Sequence, residues 1–225
     1  MQRGLAVIIP ALNEEQTVGA AVRSARRAGA AEIIVADGGS RDETAARARE
    51  AGARVLDCPP MRSRQMNLGA AETTSSVLLF LHADSELPDG AAGVVLDAID
   101  RGARFGGFRI EFIEDSPRLR LAAAMINGRT SVTRCPWGDQ AQFIVREEFE
   151  RIGKFREIPL MEDYALAVRM RRESTTTLLK EKVRTSGRRF LRKGVVLTAL
   201  INWTIIAGFR AGVEPVTLAR LYRRR

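Results

Sequence analysis

Unbroken apolar runs recur at residues 5–9, 33–36 and 77–81, each four or five residues long and free of polar alternation. Such runs predict strands buried on both faces. Between them lie alanine- and arginine-rich stretches of helical length. Asn13-Glu14-Glu15-Gln16 reads as an asparagine cap opening a helix that runs to about Gly29, and Ser40-Arg41-Asp42-Glu43 as a capping box for a helix ending near Gly52. A short strand over 54–56 and a helix over 63–72 complete the first half of the pattern. Strand alternating with helix predicts an α/β fold: a mostly parallel sheet of nucleotide-binding, Rossmann-like character, flanked by helices.

Further along, the pattern predicts a helix from Pro88 to about residue 103, strands over 106–112 and 140–145, and helices over 118–127, 147–152 and 162–172. A late strand over 175–182 follows. The remainder reads as two helices broken near Gly212-Val213-Glu214-Pro215, with Pro215 at a helix start. No internal repeat or low-complexity linker interrupts the chain. The expected layout is one domain over residues 1–185 and a basic, apolar helical appendage over 186–225.

Charge sharpens that division. Residues 169–225 carry 15 Lys/Arg against 3 Asp/Glu, whereas residues 1–168 carry 21 against 24. The excess of positive charge therefore belongs to the tail. Its core, Val195 to Phe209, is apolar nearly all round but shorter than the roughly 20 residues that span a bilayer, and Asn202 and Thr204 interrupt it. Three coverings stay open for it: its own domain, a second copy of the chain in a homo-oligomer, or a membrane surface. Cys58 and Cys135, the only cysteines, lack metal-ligand spacing and suit a reducing compartment. With a strand predicted almost at the N-terminus and no visible leader, the expectation is a cytoplasmic protein, or one peripheral to the cytoplasmic face of the inner membrane.

The candidate chemistry sits where strands end. Ligands of such sheets bind beyond the carboxyl ends of the strands, where Asn13, Asp37 and Asp84 fall. His82-Ala83-Asp84 closes the run over 77–81, and a carboxylate there can hold a hard divalent cation against a diphosphate. Glu162-Asp163 follows further along. Asp84 could equally cap a turn before Pro88, and Glu162 and Asp163 could simply favour a helix N-terminus.

Taken in order, Val7-Ile8-Ile9-Pro10-Ala11-Leu12-Asn13-Glu14-Glu15, Asp37-Gly38-Gly39-Ser40-Arg41-Asp42, Arg62-Ser63-Arg64-Gln65-Met66-Asn67, His82-Ala83-Asp84, Arg146-Glu147-Glu148-Phe149 and Glu162-Asp163-Tyr164 resemble the family 2 glycosyltransferases of GT-A fold. The likeness covers roughly residues 5–170. The His-Ala-Asp spelling resembles a small bacterial subgroup. The resemblance implies a nucleotide-sugar donor bound by Pro10, Ala11, Asn13, Glu14, Asp37, Gly38, Arg62, Arg64 and Ala83. It implies Mg²⁺ or Mn²⁺ at Asp84, Asp163 as the base with Glu162 beside it, and inversion at the sugar. His82, Trp137, Gly138, Asp139, Arg188 and Arg189 are candidates for acceptor or phosphate contacts. His82 stands where the family's metal motif has its first acid, leaving one carboxylate fewer.

The expected activity is transfer of a single sugar from a UDP-sugar, with a GDP-sugar next, to a small-molecule or lipid-linked acceptor. The Gln-x-x-Arg-Trp motif of processive members is absent, and Ser186-Gly187-Arg188-Arg189-Phe190 occupies a comparable region. Two other classes remain: a donor-binding protein without turnover, and a sugar-nucleotide nucleotidyltransferase, whose glycine-rich first loop is missing from residues 10–15. Nucleic acid is not an expected partner, because no recognition motif accompanies the basic tail.

Overall fold

The computed structural model describes residues 2–224. Strand β1 (Gln2–Ala11) is central, and its residues divide between two cores by the two-residue period of a strand. Leu5, Val7, Ile9 and Ala11 face one core; Ala6 and Ile8 face the other. Strand β4 (Ser75–Phe80) repeats the division, with Val77 and Leu79 on the first side and Leu78 and Phe80 on the second. Both faces being covered is why these runs carry no polar alternation.

The helices α1 (Val18–Arg27), α2 (Thr44–Glu50), α3 (Arg62–Ala71) and α4 (Ala91–Asp100) alternate with β1, β2 (Glu32–Asp37), β3 (Arg54–Asp57) and β4. Helix α3 lies so close to β1 that a Cβ on Gly69 would stand 2.5 Å from Cγ2 of Ile8. Beyond β4 come the two-residue β5 (Ser85–Glu86), β6 (Phe105–Phe112), helix α5 (Pro117–Thr133), β7 (Phe143–Val145), α6 (Arg146–Arg151), α7 (Glu162–Glu173) and β8 (Thr176–Thr185). The eight strands form one sheet in the order β3-β2-β1-β4-β7-β6-β8-β5. β3, β2, β1 and β4 run parallel, β7 is antiparallel to both β4 and β6, and β8 returns parallel to β6. The sheet is therefore mixed, with its parallel half at the N-terminal end of the chain.

Three local expectations ahead of the tail differ from what forms, and the two helices expected of the tail become three. Asn13 does not cap α1: its φ is 54°, its side chain bonds Arg41, and the helix starts only at Val18. Ser40 likewise turns back to Asp37, and α2 starts at Thr44, whose backbone N–H is held by Asp42. Residues 140–142 fall outside β7 because Gly138–Gln140 form a 3₁₀ turn.

The tail makes three helices, α8 (Arg188–Lys193), α9 (Val195–Arg210) and α10 (Pro215–Arg224), with Gly194 (φ 81°) breaking the first from the second. Ile201, Ile205, Ile206 and Leu218 bury against Met161, with Leu160, Tyr164 and Trp137 packed around them. Part of the tail's apolar surface is thus covered by the chain itself. Val196, Leu200 and Trp203 on α9 stay exposed. No helix among the described residues is long and apolar enough to cross a membrane.

Candidate active site

The parallel strands deliver their loops to one edge of the sheet, with Ala11 in register with Asp37. Two loops there lock together. Ser40 Oγ accepts the Asn13 backbone N–H (2.9 Å), Asn13 Oδ1 accepts that of Arg41 (2.9 Å), and Thr44 Oγ1 accepts that of Glu14 (2.7 Å). The buried Asp37 carboxylate takes the Ser40 backbone N–H (2.9 Å) and hydroxyl. From α3, Gln65 Nε2 donates to the carbonyls of Ala11 (2.8 Å) and Ala36 (2.7 Å), tying the ends of β1 and β2.

A cavity of about 420 Å³ opens beside these loops, lined by Pro10, Ala11, Glu14, Arg62, His82, Ala83 and Asp84. Seven of the residues singled out from sequence thus share one wall. Asn13, Asp37 and Gly38, expected to contact the donor, do not line the cavity; they fasten the loops, Gly38 through its N–H to the Ala11 carbonyl (2.8 Å). Arg64 is not brought to the cluster; its guanidinium turns outward to Glu157 (2.8 Å).

Asp84 is reached from a distant part of the chain. Strand β5 pairs antiparallel with the end of β8, Ser85 opposite Thr185, and the Ser186 N–H donates to the Asp84 carbonyl (3.1 Å). This pairing places Arg188 Nη2 3.1 Å from Glu14 and 3.4 Å from Asp84. Among the described residues no group of three or more His, Cys, Asp or Glu converges as a preformed metal cage.

Deeper in, Arg62 is the hub. Its Nε donates to Glu162 Oε1, its Nη2 lies 3.5 Å from Asp163 Oδ2, and its Nη1 lies 3.2 Å from His82 Nε2. A guanidinium only donates, so His82 Nε2 accepts and the ring proton, when single, sits on Nδ1. Burial and the Arg62 charge hold His82 below the usual imidazole range, against the pull of Asp84, Asp139 and Asp163. Burial also opposes the Arg62 charge, but Glu162 and Asp163 outweigh it and keep the guanidinium charged. Glu162 is fully enclosed as the counter-ion of Arg62 and lines neither cavity of the site.

Asp163 occupies the first turn of α7, which the left-handed Met161 (φ 70°) turns into the site. Burial would raise its pKa; Arg62 and the backbone N–H groups of Gly138 (2.8 Å) and Tyr164 (2.7 Å) outweigh that and hold it below the usual carboxylate range. Asp139 is pushed the opposite way by burial, despite the nearby Arg129, and its Oδ1 has no hydrogen-bond partner. Two carboxylates in one site are therefore driven apart, Asp163 toward the ionised form and Asp139 toward the neutral one.

The loop carrying Gly138 is fixed by residues that the sequence did not flag. Gln140 Oε1 accepts from the Trp137 N–H (3.1 Å), Thr130 Oγ1 (2.8 Å) and Arg129 Nη2 (3.1 Å), and its Nε2 donates to the Phe108 carbonyl (3.0 Å). Gln142 Nε2 bonds the carbonyls of Pro136 and Asp163. The Arg129 guanidinium stacks 3.4 Å above the Trp137 ring. Arg129 and the glutamines lie in separate elements, and no sequence spacing links them.

A second cavity, about 400 Å³, shares Arg62, His82 and Asp84 with the first as lining residues. Asp163, Asp139 and Trp137 face it, and α5 and the tail helices supply most of its remaining wall. The tail thus roofs the space beside Asp163. Arg189, another of the candidate contacts, lines it through α8.

The family model described as Glycosyl transferase family 2 matches residues 6–193. Glucosyl-3-phosphoglycerate synthase of Mycolicibacterium smegmatis is 37% identical over 99 residues, covering 39% of this chain and 33% of that protein. The 4,4'-diaponeurosporenoate glycosyltransferase of Staphylococcus haemolyticus is 37% identical over 94 residues, covering 38% of this chain and 25% of that protein. The match thus spans a third or less of each curated relative. Among solved structures, S. aureus TarS 1–349 superposes with a TM-score of 0.66 at 14% identity, over 82% of this chain and 60% of that one. The glucosyl-3-phosphoglycerate synthase of Mycobacterium tuberculosis, in complex with Mn²⁺, UDP and glucosyl-3-phosphoglycerate, gives 0.59 at 19% identity, over 81% and 71%. These likenesses share the fold of this chain.

Proposed function

We propose that this chain, which belongs to glycosyl transferase family 2, moves one sugar from a nucleoside diphosphate sugar to an acceptor hydroxyl with inversion at the anomeric carbon. The observation that carries the reading is the shared lining: Arg62, His82 and Asp84 border both a cleft at the strand ends and a cavity that Asp163 faces. A donor in the first space and an acceptor in the second would meet beside those three residues.

In this mechanism the acceptor oxygen attacks the anomeric carbon from the side opposite the diphosphate. The bond from that carbon to the phosphate oxygen breaks, and its electron pair leaves with the nucleoside diphosphate. The acceptor proton passes to Asp163, ionised for that purpose by Arg62 and two backbone N–H groups. Glu162 holds Arg62 in position from its enclosed site. A single displacement of this kind inverts the sugar. Neutral His82 accepts from Arg62 and keeps it aligned beside the two spaces.

UDP-sugars are the favoured donors, since the M. tuberculosis synthase was captured with UDP and Mn²⁺. The residues present fit a divalent ion that takes most of its ligands from a diphosphate and water. Asp84 supplies one partly exposed carboxylate, and Mg²⁺ and Mn²⁺ commonly bind through one or two carboxylates plus phosphate. Held there, the ion would neutralise charge on the leaving diphosphate. Arg188, resting on Glu14 and Asp84, is the cation that would turn to the donor phosphates. We further propose that residues 186–225 serve as the acceptor-side roof of the domain over residues 1–185.

Calorimetric titration with UDP and GDP, with and without Mn²⁺, tests this reading on the wild type and on Asp84→Ala. The expected result is Mn²⁺-dependent binding of one nucleotide that Asp84→Ala weakens. Absence of nucleotide binding under every condition would overturn it.

A further inference from the structure

Among the described residues the arginines around the site have carboxylate or neutral acceptors, with one exception. Arg62 has Glu162 and Asp163, and Arg188 has Glu14 and Asp84. Arg129 forms no ion pair with the described residues and its Nε is unpartnered, but its Nη2 donates to Thr130 (2.9 Å) and Gln140 (3.1 Å). Arg189 forms an ion pair with none of the described residues. Its guanidinium lies 3.8 Å above the Tyr222 ring, and its Nη2 is shut off from solvent without a hydrogen-bond partner. Burial, then the like charge of Arg192, hold it below its ordinary range. A half-buried guanidinium left without an anion is costly where its nitrogen is cut off from water, and the planar fork suits carboxylate and phosphate.

Around it the cavity is mainly apolar: Met125 and Ile126 come from α5, Leu160 and Met161 from the segment before α7, Phe190 and Ile206 from the tail. A sugar or another strongly hydrated acceptor would leave its hydroxyls facing these groups. We propose that the cavity takes an amphipathic acceptor, whose apolar body fills this space and whose single anionic group, carboxylate or phosphate, binds Arg189. The inference rests on the glycosyl-transfer reading in that it names the acceptor class of the same site. Arg189 is then a specificity-determining residue with no part in the proton transfer at Asp163.

The chain's two tryptophans, Trp137 and Trp203, both line the cavity, so intrinsic fluorescence reports on it directly. The experiment titrates wild type with octyl phosphate and with octanol below their aggregation limits. A saturable emission change is expected, with octyl phosphate binding at least tenfold tighter than octanol. Arg189→Gln should abolish that preference, and Arg189→Lys should keep part of it. Equal affinity for the two probes in wild type, a preference that survives in Arg189→Gln, or no saturable response to either would overturn the proposal. The wild-type comparison does not depend on any variant folding.

A parallel arm presents phosphatidylcholine vesicles carrying phosphatidic acid. A response to monomeric octyl phosphate alone assigns a soluble amphiphile; a response to the vesicles as well assigns a lipid drawn from a membrane. UDP titration of the same samples separates the two claims. UDP binding without an amphiphile response defeats the acceptor inference and leaves the transferase reading standing. Amphiphile binding without any nucleotide binding does the reverse.

Discussion

Replacing Gly138 with alanine tests the position of Asp163 while leaving its carboxyl group in place. A Cβ at residue 138 would stand 2.6 Å from Asp163 Oδ2 and 2.9 Å from His82 Nε2. Ordinary contact begins near 3.4 Å, so the carboxylate must recede by about 0.8 Å. Its tethers, the Gly138 and Tyr164 N–H groups and Arg62, leave it little freedom to do so without losing alignment. A displacement of that size from reacting geometry costs on the order of 10²-fold in rate, about 3 kcal/mol. Slow transfer of the donor's sugar to water provides the assay, read as release of UDP, because it needs no identified acceptor. Gly138→Ala should lower kcat by roughly 10²-fold and change donor affinity less, since residue 138 does not itself line the donor-side cleft and reaches it only through His82. A kcat within twofold of wild type in a folded variant would refute the placement of Asp163 as the base. An equal loss of donor affinity would show that the loop serves the donor instead.

Three further outcomes follow from the same structure. Arg188→Ala should weaken UDP binding by roughly tenfold or more, the scale of a lost charged hydrogen bond; unchanged calorimetric affinity would remove Arg188 from the donor site. Arg146 is buried and donates to the carbonyls of Ser75 (2.7 Å) and Ala70 (2.9 Å), so Arg146→Met should cost about 2–4 kcal/mol in denaturant unfolding; an unshifted midpoint would contradict that role. Burial pushes the Cys135 thiol up to about 11, above its ordinary value of 9.0. The folded state then holds a proton that the unfolded state has lost, so stability should fall as pH rises from 9.0 toward about 11. Cys135→Ala should flatten that decline, measured as Tm against pH; an equal slope in both proteins would exclude the thiol as its source.

The parts of the fold legible in the sequence are those set by local pattern. Residues 5–9 and 77–81 had to be buried on both faces, and the sheet edge they reach gathers Pro10, Ala11, Glu14, His82, Ala83 and Asp84 around one cleft. Pro215 opens α10 because its missing N–H costs nothing at a helix start. The expected cap at Asn13 failed because a tertiary partner, the Arg41 N–H, competes for the same side chain. Strand β5 is two residues long and exists only through its pairing with β8, which no local pattern announces. Arg62 and Glu162 lie 100 residues apart, and Arg129 meets Trp137 across a helix end, so their roles emerge only once the chain has folded. The tail's apolar face was readable as needing cover. That α9 and α10 would bury part of it over the cavity beside Asp163 was not, because the covering residues come from 137–164.

The most direct test of the central claim is UDP release from a UDP-sugar by wild type and Asp163→Asn, with UDP affinity measured on the same samples. If Asp163 accepts the proton, the asparagine variant should bind UDP as wild type does and release it from the sugar 10²- to 10⁴-fold more slowly, the usual range for a lost general base. Turnover by Asp163→Asn at the wild-type rate would contradict the account and send the search for the base elsewhere in the cavity.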